Sequence, residues 1–305
     1  MALICSILLA TLCSCTESVR KINYVDDDTA ALQPLGPTDG MSPLQTKSAQ
    51  ELVTIGFIYL ANKNLKIAEL HFSSAINKDP KMVDAYIGLG RAEMLKGNYD
   101  GALAGFSRAL ELDPDSVPAL VGGAKAFRSE GKMNAAIKKI NAAMMIDPEN
   151  INVLKELALI YDLMGKENLS KTLYLEIVNR APDQATSHNN LGLNYMVREK
   201  YSEAILSFLQ ALELDENNIR IKNNLASAYL LNGDTTNALL IFKGTVGEAE
   251  AYNNIGYLFM TQGRFDEAEQ SLNKAMQLNP RFYVRAQENL DKIQKMRHAE
   301  QASSL

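Results

Sequence analysis

The 305-residue sequence has no tryptophan, three cysteines, three histidines and nine prolines. The cysteines, Cys5, Cys13 and Cys15, all lie at the amino terminus. Cleavage before Cys15 would leave that one alone, which excludes a disulfide and a thiolate metal site from the mature chain. The histidines His71, His188 and His298 lie far apart and form no His-x-x-x-His pair. Their neighbours suit packing or surface roles better than metal binding or catalysis. Phosphate-binding glycine loops and Gly-x-Ser-x-Gly elbows are absent. Gly88 and Gly90 form a Gly-x-Gly, but inside a helical pattern, where they cannot cradle a phosphate. A net charge of −5 argues against bulk nucleic-acid binding. No enzyme, metal site or cofactor is expected.

What is present is a period. Val83 to Ser116 reads as two helices with a turn at Gly97, where glycine takes a left-handed conformation cheaply, and a stop at Pro114. The same residues then recur every 34 positions: Pro80, Pro114, Pro148 and Pro182; Gly97, Gly131 and Gly165, with Gly233 further on. Ala68, Ala102, Ala136, Ala204 and Ala238 share a third register. Phe72, Phe106, Phe208 and Phe242 share a fourth, with Ile140 and Tyr174 in its gaps. Tyr59, Phe127, Tyr161, Tyr195 and Tyr229 share a fifth, broken by Glu93. Seven units follow: 49–82, 83–116, 117–150, 151–184, 185–218, 219–248 and 249–282, the sixth four residues short. That deletion is expected to alter the turn or the pitch after Asn237–Phe242.

These positions resemble the tetratricopeptide repeat over about 230 residues. The resemblance implies an all-α, right-handed superhelical solenoid of about seven helix-turn-helix repeats. Residues 283–305 read as a capping helix and tail, with Tyr283, Ala286, Leu290 and Ile293 on one face. In this family the first helix of each pair lines a concave groove, mainly through repeat positions 2, 5, 6, 9 and 12. There the later repeats carry Asn189-Asn190, Asn223-Asn224 and Asn253-Asn254. Asparagine is a poor residue inside a helix, and its amide both donates and accepts, as a peptide backbone does. The groups resemble the asparagine ladder of some such grooves, carried onto Asn190, Asn224 and Asn254; bonding within the helix pair, or facing water, is the other reading. The early repeats carry Thr54, Gly88, Gly122 and Glu156 instead, with Phe57, Leu60, Arg91, Met94, Lys125 and Arg128 nearby. This gives an apolar entrance and a basic patch suited to a helix or an acidic segment. Val53 and Phe57 stand where the chaperone-adaptor type has its carboxylate-clamping Lys and Asn.

The first residues carry a separate signal. Residues 1–14 are uncharged and mostly apolar, too short to span a bilayer, and read as a secretory signal. Leu12-Cys13-Ser14-Cys15 resembles the bacterial lipobox, which implies cleavage before Cys15 and its lipidation, such as by palmitate. The basic start expected of a signal is missing, since Arg20 is the first cation. Thr16, in place of Asp, implies an outer-membrane anchor facing the periplasm. Residues 15–48, with Asp26-Asp27-Asp28 and Pro34, Gly36, Pro37, Gly40 and Pro43, read as a flexible linker.

Lipobox, spacer and the closing stretch from Ala251 to Leu290 together resemble the TadD-type lipoproteins of tight-adherence (Flp) pilus assembly. That implies an assembly factor for a pilus or secretion machine, with a secretin or another pilus-assembly component as partner. Two other roles fit the residues: a lipoprotein regulating a peptidoglycan synthase or hydrolase, and a cytoplasmic adaptor.

Overall fold

The computed structural model describes residues 44–280 and 283–303. The signal and lipobox, Cys15 and most of the linker expected at 15–48 lie outside the described residues. Among the described residues every regular element is a helix. The chain forms two compact units, divided between Arg180 and Ala181.

The first unit holds four helical hairpins: α1 (Ala49–Ala61) with α2 (Leu65–Lys78), α3 (Val83–Lys96) with α4 (Tyr99–Leu112), α5 (Val117–Ser129) with α6 (Met133–Ile146), and α7 (Ile151–Leu163) with α8 (Glu167–Arg180). The second holds three: α9 (Ala185–Val197) with α10 (Tyr201–Leu214), α11 (Ile219–Leu231) with α12 (Thr235–Val246), and α13 (Glu248–Thr261) with α14 (Phe265–Leu278). The last helix, α15 (Tyr283–Ser303), packs on α13 and α14 through the fully buried Ala286 and Ile293.

The stack begins at a defined cap. Ser48 Oγ accepts the Glu51 amide at 3.2 Å, and the Glu51 carboxylate accepts the Ser48 amide at 2.7 Å, so two orphan donors at the start of α1 are satisfied reciprocally. Lys78 Nζ holds the entering chain by donating to the carbonyls of Gln45 and Lys47.

Within each hairpin the alanine register is the close contact. Ala68, Ala102, Ala136, Ala204 and Ala238 are fully buried, and Ser170 takes the same place in the fourth repeat. The aromatic register fills the space between hairpins. A Cβ added to Gly56 or Gly88 would meet the Phe72 ring at 2.5 and 2.3 Å, and one added to Gly90 or Gly122 would meet Phe106 at 2.8 and 2.4 Å. Each ring thus lies between a glycine of its own hairpin and one of the next. Gly88 and Gly90, the Gly-x-Gly of the sequence, serve this packing.

The turn inside each hairpin is left-handed in every repeat, and glycine supplies it five times: Gly97, Gly131, Gly165, Gly233 and Gly263. In the first and fifth repeats Lys63 (φ 59°) and Glu199 (φ 58°) take it against their preference.

The short sixth repeat changes the turn, as its deletion implied. Elsewhere four residues separate one hairpin from the next, as at 79–82 and 215–218; between α12 and α13 only Gly247 remains. Its φ of 87° and ψ of 167° fall in a region open essentially to glycine alone. Lys243 and Glu248 bridge this joint at 2.7 Å, which raises the ammonium pKa and lowers that of the carboxylate.

Candidate functional site

The first unit carries an open cleft of about 690 Å³ on its first-of-pair helices. Its lining follows the repeat positions expected of a groove. Gln50, Asp84, Pro118 and Asn152 share one register; Val53 and Val121 the next; Thr54 and Gly122 a third; Phe57, Arg91 and Lys125 a fourth; Leu60 and Met94 a fifth. The repeat period therefore brings residues three repeats apart in sequence to one surface. Glycine at 88 and 122 keeps the floor thin and lets Phe72 and Phe106 rise beneath it.

The cations of the expected basic patch divide. Arg91 lies over the Phe57 ring, 5.6 Å from its centroid, and lines the cleft with Lys125. Arg128 instead turns to Glu156, donating Nε to Oε1 at 2.6 Å and Nη2 to Oε2 at 3.4 Å. Glu156 is only 4% exposed, so this is a buried, forked ion pair between the third and fourth repeats. The sequence reading placed Arg128 with the groove cations and missed its partner. The available signal was the carboxylate at a position where the preceding two repeats have glycine, one repeat beyond an arginine.

In the second unit the asparagines meet one another. Asn224 Nδ2 donates to Asn189 Oδ1 at 2.9 Å, and Asn189 Nδ2 reaches Asn190 Oδ1 at 3.4 Å. The amides thus link the fifth repeat to the sixth. Asn189 and Asn190 are buried. Asn223 Oδ1 accepts from Thr245 Oγ1 of α12 at 3.1 Å, a bond within its own helix pair. Asn253 is buried with Oδ1 lacking a hydrogen-bond partner, and Asn254 is half-buried. The Asn223–Thr245 bond is of the within-pair kind, while the Asn224–Asn189 bond joins one helix pair to the next.

His71 is buried, bonds the Ile67 carbonyl at 2.8 Å and stacks on Tyr59; His188 bonds the Pro182 carbonyl at 2.8 Å. His298 is exposed. Among the described residues no three His, Cys, Asp or Glu side chains gather as a metal site, and no helix is long and apolar enough to cross a membrane.

Three stretches match family models: residues 59–126 and 249–282 match models described as tetratricopeptide repeat, and 193–233 one described as TPR repeat. No curated protein matches the sequence. Similar solved structures include a tetratricopeptide repeat protein from Parabacteroides merdae, 18% identical with a TM-score of 0.56, covering 80% of this chain and 97% of that one. TTC0263, a thermophilic TPR protein of Thermus thermophilus, is also 18% identical with a TM-score of 0.56, over 60% of this chain and all of that one. The pilF protein of Pseudomonas aeruginosa is 21% identical with a TM-score of 0.54, over 70% and 97%. At these identities the likeness is one of fold.

Proposed function

We propose that this chain, which carries tetratricopeptide repeats, is a non-catalytic protein–protein interaction scaffold that holds a partner segment in the cleft of its first unit. The observation that carries this reading is the cleft itself: about 690 Å³, floored by Val53, Phe57, Met94 and Val121 and flanked by Arg91 and Lys125. A concave apolar surface with a few placed polar groups is the usual form of a recognition site. The asparagines of the second unit offer a further polar surface, on which Asn224 and Asn254 are half-buried while Asn190 is buried.

The site of action we infer is the bacterial envelope. Leu12-Cys13-Ser14-Cys15 supports lipidation at Cys15, and Thr16 supports the periplasmic face of the outer membrane. The resemblance of the closing repeat to TadD-type lipoproteins supports a role in assembling a pilus or secretion machine, with a secretin or another pilus-assembly component bound.

The test is a photo-crosslinking residue at Thr54, in the cleft, with Leu240, exposed on α12, as the control position. Crosslinks from Thr54 alone to a secretin or pilus-assembly protein are expected for the anchored chain, and Cys15→Ala is expected to release the chain from the membrane. Cell-wall enzymes in their place would redirect the role to enzyme regulation. No crosslink from Thr54 would remove the scaffold reading of this cleft.

A further inference from the structure

The last three helices stand in the register of an earlier three. Helix α10 begins at Tyr201 and α14 at Phe265, α11 at Ile219 and α15 at Tyr283, an offset of 64 residues each time. At that offset Asn189 corresponds to Asn253, and Asn224 to Glu288. In the earlier set Asn224 Nδ2 donates to Asn189 Oδ1 at 2.9 Å. In the later set the donor is gone, because a carboxylate only accepts. Asn253 Oδ1 is accordingly buried without a hydrogen-bond partner among the described residues, in a residue 8% exposed. Glu288 is exposed and makes no ion pair with a described residue. Two acceptors thus take the places of an acceptor and a donor. Buried acceptors left unmatched are costly, and native proteins keep few of them.

We propose that Asn253 and Glu288 form a socket for an arginine side chain of a partner protein. The pair lacks a donor and carries a negative charge. A guanidinium supplies several N–H donors in a planar fork together with a positive charge. One of its nitrogens meets the amide oxygen while another meets the carboxylate. An ammonium is a compact, strongly hydrated point charge, less suited to spanning two acceptors. A metal ion is a poorer fit, since among the described residues no three His, Cys, Asp or Glu side chains gather.

The surroundings favour a cation from outside. Glu250, one turn before Asn253 and Asn254 on α13, is half-buried and makes no ion pair with a described residue. At that spacing it adds a second negative charge to the same side of the helix. The chain's own cations do not fill the place. Arg297 is engaged with Asp266 and Glu269, and Lys243 with Glu248. Arg285 and Lys292 lie about one turn to either side of Glu288 on α15, both exposed and neither bonded to it. Glu288, the exposed member of the pair, is the one an incoming chain meets first. The socket belongs to the second unit and does not depend on the cleft of the first.

The experiment follows the Asn253 side-chain amide by proton–nitrogen NMR of the full chain, titrated with N-acetyl-arginine methylamide. The signal is expected to shift, with half-saturation at roughly millimolar concentration. The citrulline analogue, similar in shape but uncharged, should leave it in place. Glu288→Gln, an exposed change between residues of similar helix propensity, should weaken the arginine compound about tenfold, the loss of one charge-assisted bond. No shift with the arginine compound would overturn the proposal. So would an equal response to citrulline, or an unchanged affinity in Glu288→Gln. Binding of the corresponding lysine compound as tight as that of arginine would remove the guanidinium as occupant. Tighter binding of free arginine than of the blocked compound would assign the socket to a small molecule and overturn the protein-borne source.

Discussion

Gly88 and Phe72 divide one space between them: a Cβ on Gly88 would stand 2.3 Å from the Phe72 ring. The ring is fully buried, so it has nowhere to withdraw. Gly88→Ala should cost about 1–3 kcal/mol through overpacking, read by urea denaturation. Phe72→Leu should relieve part of that cost, because it removes the atoms the methyl meets. A double-mutant cycle with no coupling would show that the two residues do not share this space.

Lys63 and Glu199 hold left-handed turns that five other repeats give to glycine. Lys63→Gly and Glu199→Gly should each stabilise the protein, by about 1 kcal/mol. Calorimetry of the single variants and the pair should show additive gains, since the two turns belong to different units.

Gly247 is the opposite case. With φ 87° and ψ 167°, it has no low-strain substitute. Gly247→Ala should cost about 1–3 kcal/mol. Hydrogen exchange should show the loss in α12 and α13, while Asn62 to Asn64 at the first turn exchange as before.

Removing one member of the Arg128–Glu156 pair leaves the other charge buried or half-buried. Arg128→Met should destabilise by about 3–5 kcal/mol, and Arg128→Met with Glu156→Leu by much less. Thermal melts of the three proteins distinguish the cost of a buried charge from a pair that is itself strongly stabilising.

Acid should loosen the helix starts. The Glu51 carboxyl is held below its ordinary value by the Ser48 amide and hydroxyl, and Asp234 by the Asn237 amide and side chain. A carboxyl depressed in the folded state stabilises fully above its unfolded value, and that stability is lost as pH falls through the folded one. The melting temperature should therefore drop as pH falls below about 4.5, the ordinary glutamate value. Asp234→Asn, which keeps a capping oxygen, should flatten part of that slope.

The fold was readable because it repeats. Ala102 or Phe106 alone is an ordinary helix residue; five registers at one spacing give helix pairs, their turns and their buried faces. The groove lining was readable for the same reason, since Phe57, Arg91 and Lys125 are one position seen three times. What escaped were departures from the period. Lys63 and Glu199 take a glycine's conformation without being glycine, because the surrounding hairpin dictates the turn. Arg128 leaves its register's role because Glu156 replaces a small residue one repeat on. The fate of the asparagines also turned on partners, Asn224 with Asn189 and Asn223 with Thr245, which spacing alone does not choose.

The reach of Phe72 and Phe106 into the following hairpin makes the first unit a directional object. Trimming it from the front would leave an empty slot at Gly88, a missing neighbour for atoms already inside. Trimming it from the back would leave a bare ring. The two ends are therefore unequal. The seventh hairpin packs differently. Leu272 stands where a phenylalanine would be, and α15 closes over the last hairpin. A leucine there presents no ring, so the last hairpin closes on a helix rather than on another glycine slot.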